Sequence, residues 1–142
     1  MKKYKIGFTQ GVYDMFHIGH LNLINAAKER CDYLIVAVNS DSLVRDYKFK
    51  TPVISQENRK TIIENIRAVN KVVIADTLDK VLLHEQFGFD AVFIGDDWKN
   101  SIRWIKTERD LKRMSVDVVF LPYTPEVSST ILRKSEPFRI AE

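Results

Sequence analysis

Two histidines stand three residues apart, around a glycine, in "GVYDMFHIGH" (positions 11–20), directly after an apolar run. Imidazoles at such a strand-to-helix turn can serve as metal ligands, as hydrogen bonders in a core, or as handles for phosphate. Spaced i and i+3, His17 and His20 fall on the same side of a helix's first turn. That turn carries unpaired N–H groups and positive potential, so it attracts anions, and two imidazoles there can donate to phosphate oxygens. Gly11 permits close backbone approach and Gly19 a tight entry into the helix. Zinc fits less well, because HxxH needs further ligands and the single cysteine, Cys31, and distant His84 are poor candidates. The bland alternative, one core histidine and one at the surface, loses ground in this glycine-bearing setting.

Other stretches offer matching chemistry. In "NSDSLVRDYKFKTP" (39–52) the spacing predicts a turn at Asn39, Ser40 and Asp41, then a long loop. Such loops are often lids or binding loops, and Lys48 and Lys50 can project ammoniums from it toward a polyphosphate. Arg59 and Arg67 are eight apart on one predicted helix and so lie broadly on one side. A solvated loop and surface arginines are the plain alternatives for these four. "GDDWKN" (95–100) puts Asp97 at a strand's end, where a carboxylate can meet nucleoside hydroxyl or amino groups or Mg²⁺, beside the flat face of Trp98. Trp104, within a helical pattern, reads as core or interface. In "LPYTPEVSSTILR" (121–133), Thr124, Ser128, Ser129 and Thr130 precede a helical pattern and could form a second anion site or a simple N-cap.

These residues need elements to hold them. "YKIGF" (4–8), "YLIVAV" (33–38), "KVVIA" (71–75), "AVFIG" (91–95) and "DVVFL" (117–121) read as strands, and their unbroken apolar character suggests burial on both faces. Helical patterns occupy 18–30, 55–68, 78–87, 101–114 and 128–134. The second shows Ile62, Ile63, Ile66 and Val69 at helical spacing with Ser55 as N-cap. Five β-α units imply an α/β fold, a single-domain doubly wound five-stranded parallel sheet over 1–142. Ligands then sit beyond the carboxyl ends of the strands, where all the candidates lie. A net charge of +3 with scattered basic residues is modest for a nucleic-acid surface and favours a local anion site, with no nucleic-acid partner expected. No apolar run approaches a membrane span, the start lacks a secretory signal, and one cysteine suits a reducing compartment, so a cytoplasmic protein with no membrane partner is expected. Cys31 reads as a half-buried helix-end residue.

"HIGH" after the first strand, "GDDW" after the fourth and "VSST" before the last helix resemble the HxGH cytidylyltransferases of the nucleotidyltransferase superfamily, whose fold is Rossmann-like. The likeness runs from Lys5 to about Arg133 through "GHLNLINAAKERCDYLIVAVNSD" and "ENRKTIIENIRAV" and is closest to bacterial glycerol-3-phosphate cytidylyltransferases. The resemblance implies transfer of a cytidylyl group from CTP to a small phosphorylated alcohol such as glycerol 3-phosphate. CDP-glycerol, a cell-envelope precursor, would form, with Mg²⁺ accompanying the nucleotide and no metal held by direct protein ligands. It makes His17, His20, Lys48 and Asp14 catalytic. Nucleotide binding falls to Gly11, Val12, both histidines, Asp97, Thr124, Ser128, Ser129 and Thr130, and acceptor binding to Lys48, Lys50, Arg59 and Arg67. A homodimer is also implied. The sequence departs from the family in several places. Tyr123 stands where an arginine is usual, Glu126 where a glycine is usual, and Val12 where a threonine or serine is usual. "ADTLDKVLLHEQF" is more similar to heptose-phosphate nucleotidyltransferases. ATP, phosphocholine, phosphoethanolamine or sugar phosphates are therefore alternative substrates, and a non-catalytic nucleotide-binding module is the rival of another class.

Overall fold

The computed structural model describes residues 3–122. The strands are β1 (Tyr4–Gly11), β2 (Cys31–Asn39), β3 (Lys71–Ala75), β4 (Ala91–Gly95) and β5 (Asp117–Leu121). The helices are α1 (Ile18–Lys28), α2 (Asp41–Lys48), α3 (Gln56–Glu64), α4 (Lys80–Phe87) and α5 (Ile102–Lys112). The strands form one parallel sheet in the order β3-β2-β1-β4-β5. The chain winds outward from β1 to β3, then returns to the other side of β1, so strand order reverses between β1 and β4. At such a reversal the connections leave in opposite directions and open a crevice at the carboxyl ends.

The expected α/β sheet is present, and β2 shows why its strands read as unbroken apolar runs. Leu34, Val36 and Val38 pack into one cluster with Ile24 and Ala27 of α1 and Ile63 of α3. Ile35 and Ala37 point the opposite way, against Leu83 of α4 and Trp104 and Leu111 of α5. Both faces are covered, so period-two alternation of polarity is lost. Gly7 marks the tightest point in β1: a Cβ there would come within 2.6 Å of the Phe93 ring and 2.7 Å of Cys31 Sγ.

Several local expectations need correction. Residues 41–48 are not loop but α2, capped by the Ser40 hydroxyl, which accepts from Leu43 N–H, and ended by left-handed Phe49. The signal was readable: a Ser N-cap, then Leu43, Val44 and Tyr47 at helical spacing. Ser55 caps α3 as expected, but that helix stops at Asn65, so Ile66 and Val69 pack on the core from beyond its end. Cys31 is fully buried at the start of β2. The expected helix over 128–134 lies outside the described residues.

Candidate active site

A cleft of about 510 Å³ opens at the carboxyl ends of β1, β2 and β4, where Gly11, Asn39 and Gly95 form part of its floor. The histidines stand at its edge on α1. His17 is the N-cap, and its Nδ1 accepts from Gly19 N–H at 3.0 Å. His20 reciprocates, its Nδ1 accepting from the His17 backbone N–H at 3.2 Å. This is a capping box built from imidazoles in place of the usual hydroxyl and carboxamide or carboxylate. An Nδ1 that accepts carries no proton, so in each neutral ring the proton sits on Nε2.

Burial pushes the His17 pKa down. His20 falls further, to about 4, through burial and the neighbouring His17, with Asp14 opposing. Both rings are therefore neutral Nε2–H donors at neutral pH, stacked with centroids 3.8 Å apart. The His17 Nε2 is buried without a partner among the described residues. A buried donor left unpaired costs about 1–3 kcal/mol, and a ligand oxygen would recover that cost.

The loop leading into α1 is held under backbone strain. Tyr13 and Met15 have φ of 57° and 51°, a left-handed conformation that costs residues with a Cβ about 1–2 kcal/mol each. The Tyr13 ring lies over Gly11, where a Cβ would come within 3.0 Å of it. So the close approach at Gly11 is made by the protein's own side chain. Asp14 carries a positioning load: its carboxylate accepts from Val53 N–H at 2.8 Å and Ile54 N–H at 2.9 Å. It thereby pins the segment after α2 to the entry of α1.

Arg59 does not line the cleft. Its side chain is buried, and its guanidinium donates to the carbonyls of Ile54, Val12 and Asn39 and to Asp41 Oδ1, the last at 2.6 Å. These bonds tie the carboxyl ends of β1 and β2 together, and they leave the guanidinium outside the cleft where a contact with an acceptor is expected from the sequence. Arg67 is exposed in a turn just before the amino end of β3, at the end of the sheet away from the cleft. The predicted one-sided pair with Arg59 required a helix that has already stopped.

Lys48, the last residue of α2, and Lys50 line the cleft, as do Val12 and Asp97. Asp97 lies in a single 3₁₀ turn (Asp96–Trp98), and partial burial with Asp96 alongside raises its pKa. Thr124, Ser128, Ser129, Thr130, Tyr123 and Glu126 lie outside the described residues.

The cleft also contains residues the sequence reading missed. Gln10 Nε2 donates to Asn39 Oδ1 and to the Thr77 carbonyl, and Asn39 donates to the Tyr47 hydroxyl. Opposite the histidines stand Lys80, Arg103 and Trp104. A signal existed for the first two: cations in the first turn of a helix oppose its dipole, and Lys80 and Arg103 both occupy that position.

The family model described as Cytidylyltransferase-like matches residues 8–135. The chain belongs to that family. As a member it is a nucleotidyltransferase, and the match spans the histidine turn, the lysines and "GDDW" together. The chain is 35% identical over 127 residues to glycerol-3-phosphate cytidylyltransferase of Bacillus spizizenii, covering 89% of this chain and 92% of that protein. It is 37% identical over 95 residues to the bifunctional protein HldE of Caulobacter vibrioides, covering 66% of this chain and 20% of that one. Its fold matches the lipopolysaccharide core biosynthesis protein from Thermoplasma volcanium with a TM-score of 0.71 at 19% identity, over 85% of this chain and 97% of that one. No helix among the described residues is long and apolar enough to cross a membrane.

Proposed function

We propose that this cytidylyltransferase-like protein transfers a cytidylyl group from CTP to a small phosphorylated alcohol. Glycerol 3-phosphate is the first to test, because relatives covered along most of their length carry that name. The observation that supports the reading best is the imidazole capping box. It fixes both histidines as neutral Nε2–H donors on a helix N-terminus in the cleft. An acceptor phosphate oxygen would attack the α-phosphorus of CTP in line. The new P–O bond would form as the α–β bridging bond breaks, with the electron pair leaving on pyrophosphate. The attacking phosphate is already ionised, so no strong base is needed, and positioning with charge stabilisation carries the catalysis. His17, His20 and the α1 N–H groups would stabilise the α-phosphate, and Lys48 and Lys50 the more distal charge.

The carboxylates in the described part of the cleft are Asp14, engaged with backbone N–H groups, and Asp97. That donor set suits Mg²⁺ carried in on nucleotide phosphates, with Asp97 the residue able to approach it. When bound, Mg²⁺ would neutralise charge on the departing pyrophosphate. The reading includes a homodimer, which sedimentation would test. The deciding experiment is pyrophosphate release over a matrix of nucleoside triphosphates and phospho-alcohols, with product masses. CTP with glycerol 3-phosphate should yield CDP-glycerol; a preference for ATP would overturn the cytidylyl assignment. The resemblance of "ADTLDKVLLHEQF" to heptose-phosphate nucleotidyltransferases is why ATP and sugar phosphates belong in that matrix.

A further inference from the structure

The wall across from the histidines, built from α4 and α5 on the other face of the sheet, carries charge that the roles proposed for cytidylyl transfer to glycerol 3-phosphate leave unassigned. Lys80 is only 5% exposed, and its Nζ donates to the Leu78 carbonyl at 3.0 Å and lies 5.3 Å from the Trp104 ring centroid. The Arg103 guanidinium lies 5.9 Å from the centroids of both Trp98 and Trp104. Neither cation has a carboxylate within ion-pairing distance among the described residues. Trp104 is 2% exposed, and its Nε1–H is buried without a partner there. Burying a lysine beside an arginine is costly unless an anion joins them.

We propose that Lys80, Arg103 and the Trp104 Nε1–H seat a second anionic group of the acceptor, a carboxylate or phosphate distinct from the phosphate that attacks. The proposal rests on the nucleotidyl-transfer reading and refines its acceptor: where glycerol 3-phosphate has a neutral hydroxymethyl, the preferred substrate bears an acid. In that reading the histidine turn, Lys48 and Lys50 already account for the transferring phosphates, and Asp97 for the nucleoside or the Mg²⁺ carried with it. The cationic wall is what remains for the acceptor's far end. Binding there should take up a proton. Burial and then Arg103 lower the Lys80 pKa to about 7, with Asp79 opposing. The other charged groups at this wall are Lys106 and Asp110 of α5 in the adjoining groove and Asp97 across the cleft. An arriving anion would restore the ammonium.

The test compares 3-phosphoglycerate with glycerol 3-phosphate, and fructose 1,6-bisphosphate with fructose 6-phosphate, each pair differing by the second anion. The wild type should favour one doubly anionic member by at least about tenfold in kcat/KM, as a charge-assisted hydrogen bond implies. That ratio should fall toward one in both Lys80→Met and Arg103→Gln; Arg103 is exposed, so its replacement leaves the core intact. The carboxylate and phosphate pairs tell the two sources apart. Preference for the neutral-ended members, an unchanged ratio in both variants, or a loss confined to KM for CTP would overturn the proposal. If no acceptor turns over, the proposed reaction fails, and calorimetry at pH 8 in two buffers of different ionisation enthalpy still decides the wall. There the substrate phosphates are fully ionised, and an α,β-methylene CTP analogue keeps the nucleotide site filled. Proton uptake with 3-phosphoglycerate or fructose 1,6-bisphosphate, absent in Lys80→Met, supports the site; no uptake in the wild type refutes it.

Discussion

In the proposed reaction His17 does two jobs with two atoms, and a pair of substitutions separates them. Nδ1 caps α1 through Gly19 N–H at 3.0 Å, while Nε2 is a donor without a partner among the described residues, at the cleft. Asparagine places its Oδ1 close to the position of Nδ1 and is among the best N-caps, but its amide does not reach the position of Nε2. His17→Asn should therefore hold its stability, whereas His17→Ala loses the cap, worth about 1 kcal/mol or about 3–4 °C in Tm for a chain of this size. The reciprocal bond from the His17 backbone N–H to His20 survives in both, which keeps the alanine loss from growing larger. Turnover should fall in both variants by ~10²–10³, the usual loss for removing one charge-stabilising donor. Thermal unfolding and pyrophosphate release on the same preparations read the two effects. The reasoning is refuted if His17→Asn turns over within about threefold of wild type, or if the alanine variant melts with the asparagine one.

Arg59→Met should destabilise the fold by about 3–5 kcal/mol in urea titrations, because it strands Asp41 and three carbonyls; a loss under about 1 kcal/mol would contradict its role as a tie between β1 and β2. Replacing Lys48 and Lys50 with methionine should raise KM for the nucleotide more at low salt than at high salt, where screening already weakens the wild type; equal losses at both would count against phosphate contact. His20 has a folded pKa of about 4 against 6.5 unfolded, so its contribution is complete above pH 6.5 and drains away as pH falls toward 4, by up to about 3 kcal/mol. A His20→Gln variant with the same acid sensitivity as wild type in that window would disprove this. Lys80 is depressed from 10.5 to about 7, so its burial penalty is complete below pH 7 and relieved as pH rises toward 10.5. Lys80→Met should thus outlast wild type in urea at pH 6 and lose that advantage by pH 10.5.

The five strands along the chain and the bounds of β3, β4 and β5 were legible because the sheet is buried on both faces, whereas β1, read as ending at Phe8, runs on to Gly11. "YLIVAV" has no polar alternation, since Leu34 and Ile35 face different helices. His17, His20 and Asp97 were legible for a related reason: in a parallel sheet, residues just after a strand lie at one end, whatever the packing. The boundary at α2 was lost to its polar composition, although Ser40 and Val44 carried the signal.

What tertiary structure alone decided is where each of two similar side chains ends up. Arg59 and Arg67 look equivalent on a helical count, yet one is drawn in at the carboxyl ends of β1 and β2 by carbonyls from segments about 5, 20 and 47 residues away, and the other sits at the far end of the sheet. Lys48 and Lys80 are both lysines at helix ends, yet only Lys80 is enclosed, because α4 and α5 close over it from the face opposite α1. Periodicity along the chain fixes a residue's element and the face of that element it occupies. Whether that face meets solvent, core or cleft depends on the reversal of strand order, which brings Lys80 and Arg103 opposite His17 and is a property of the assembled sheet.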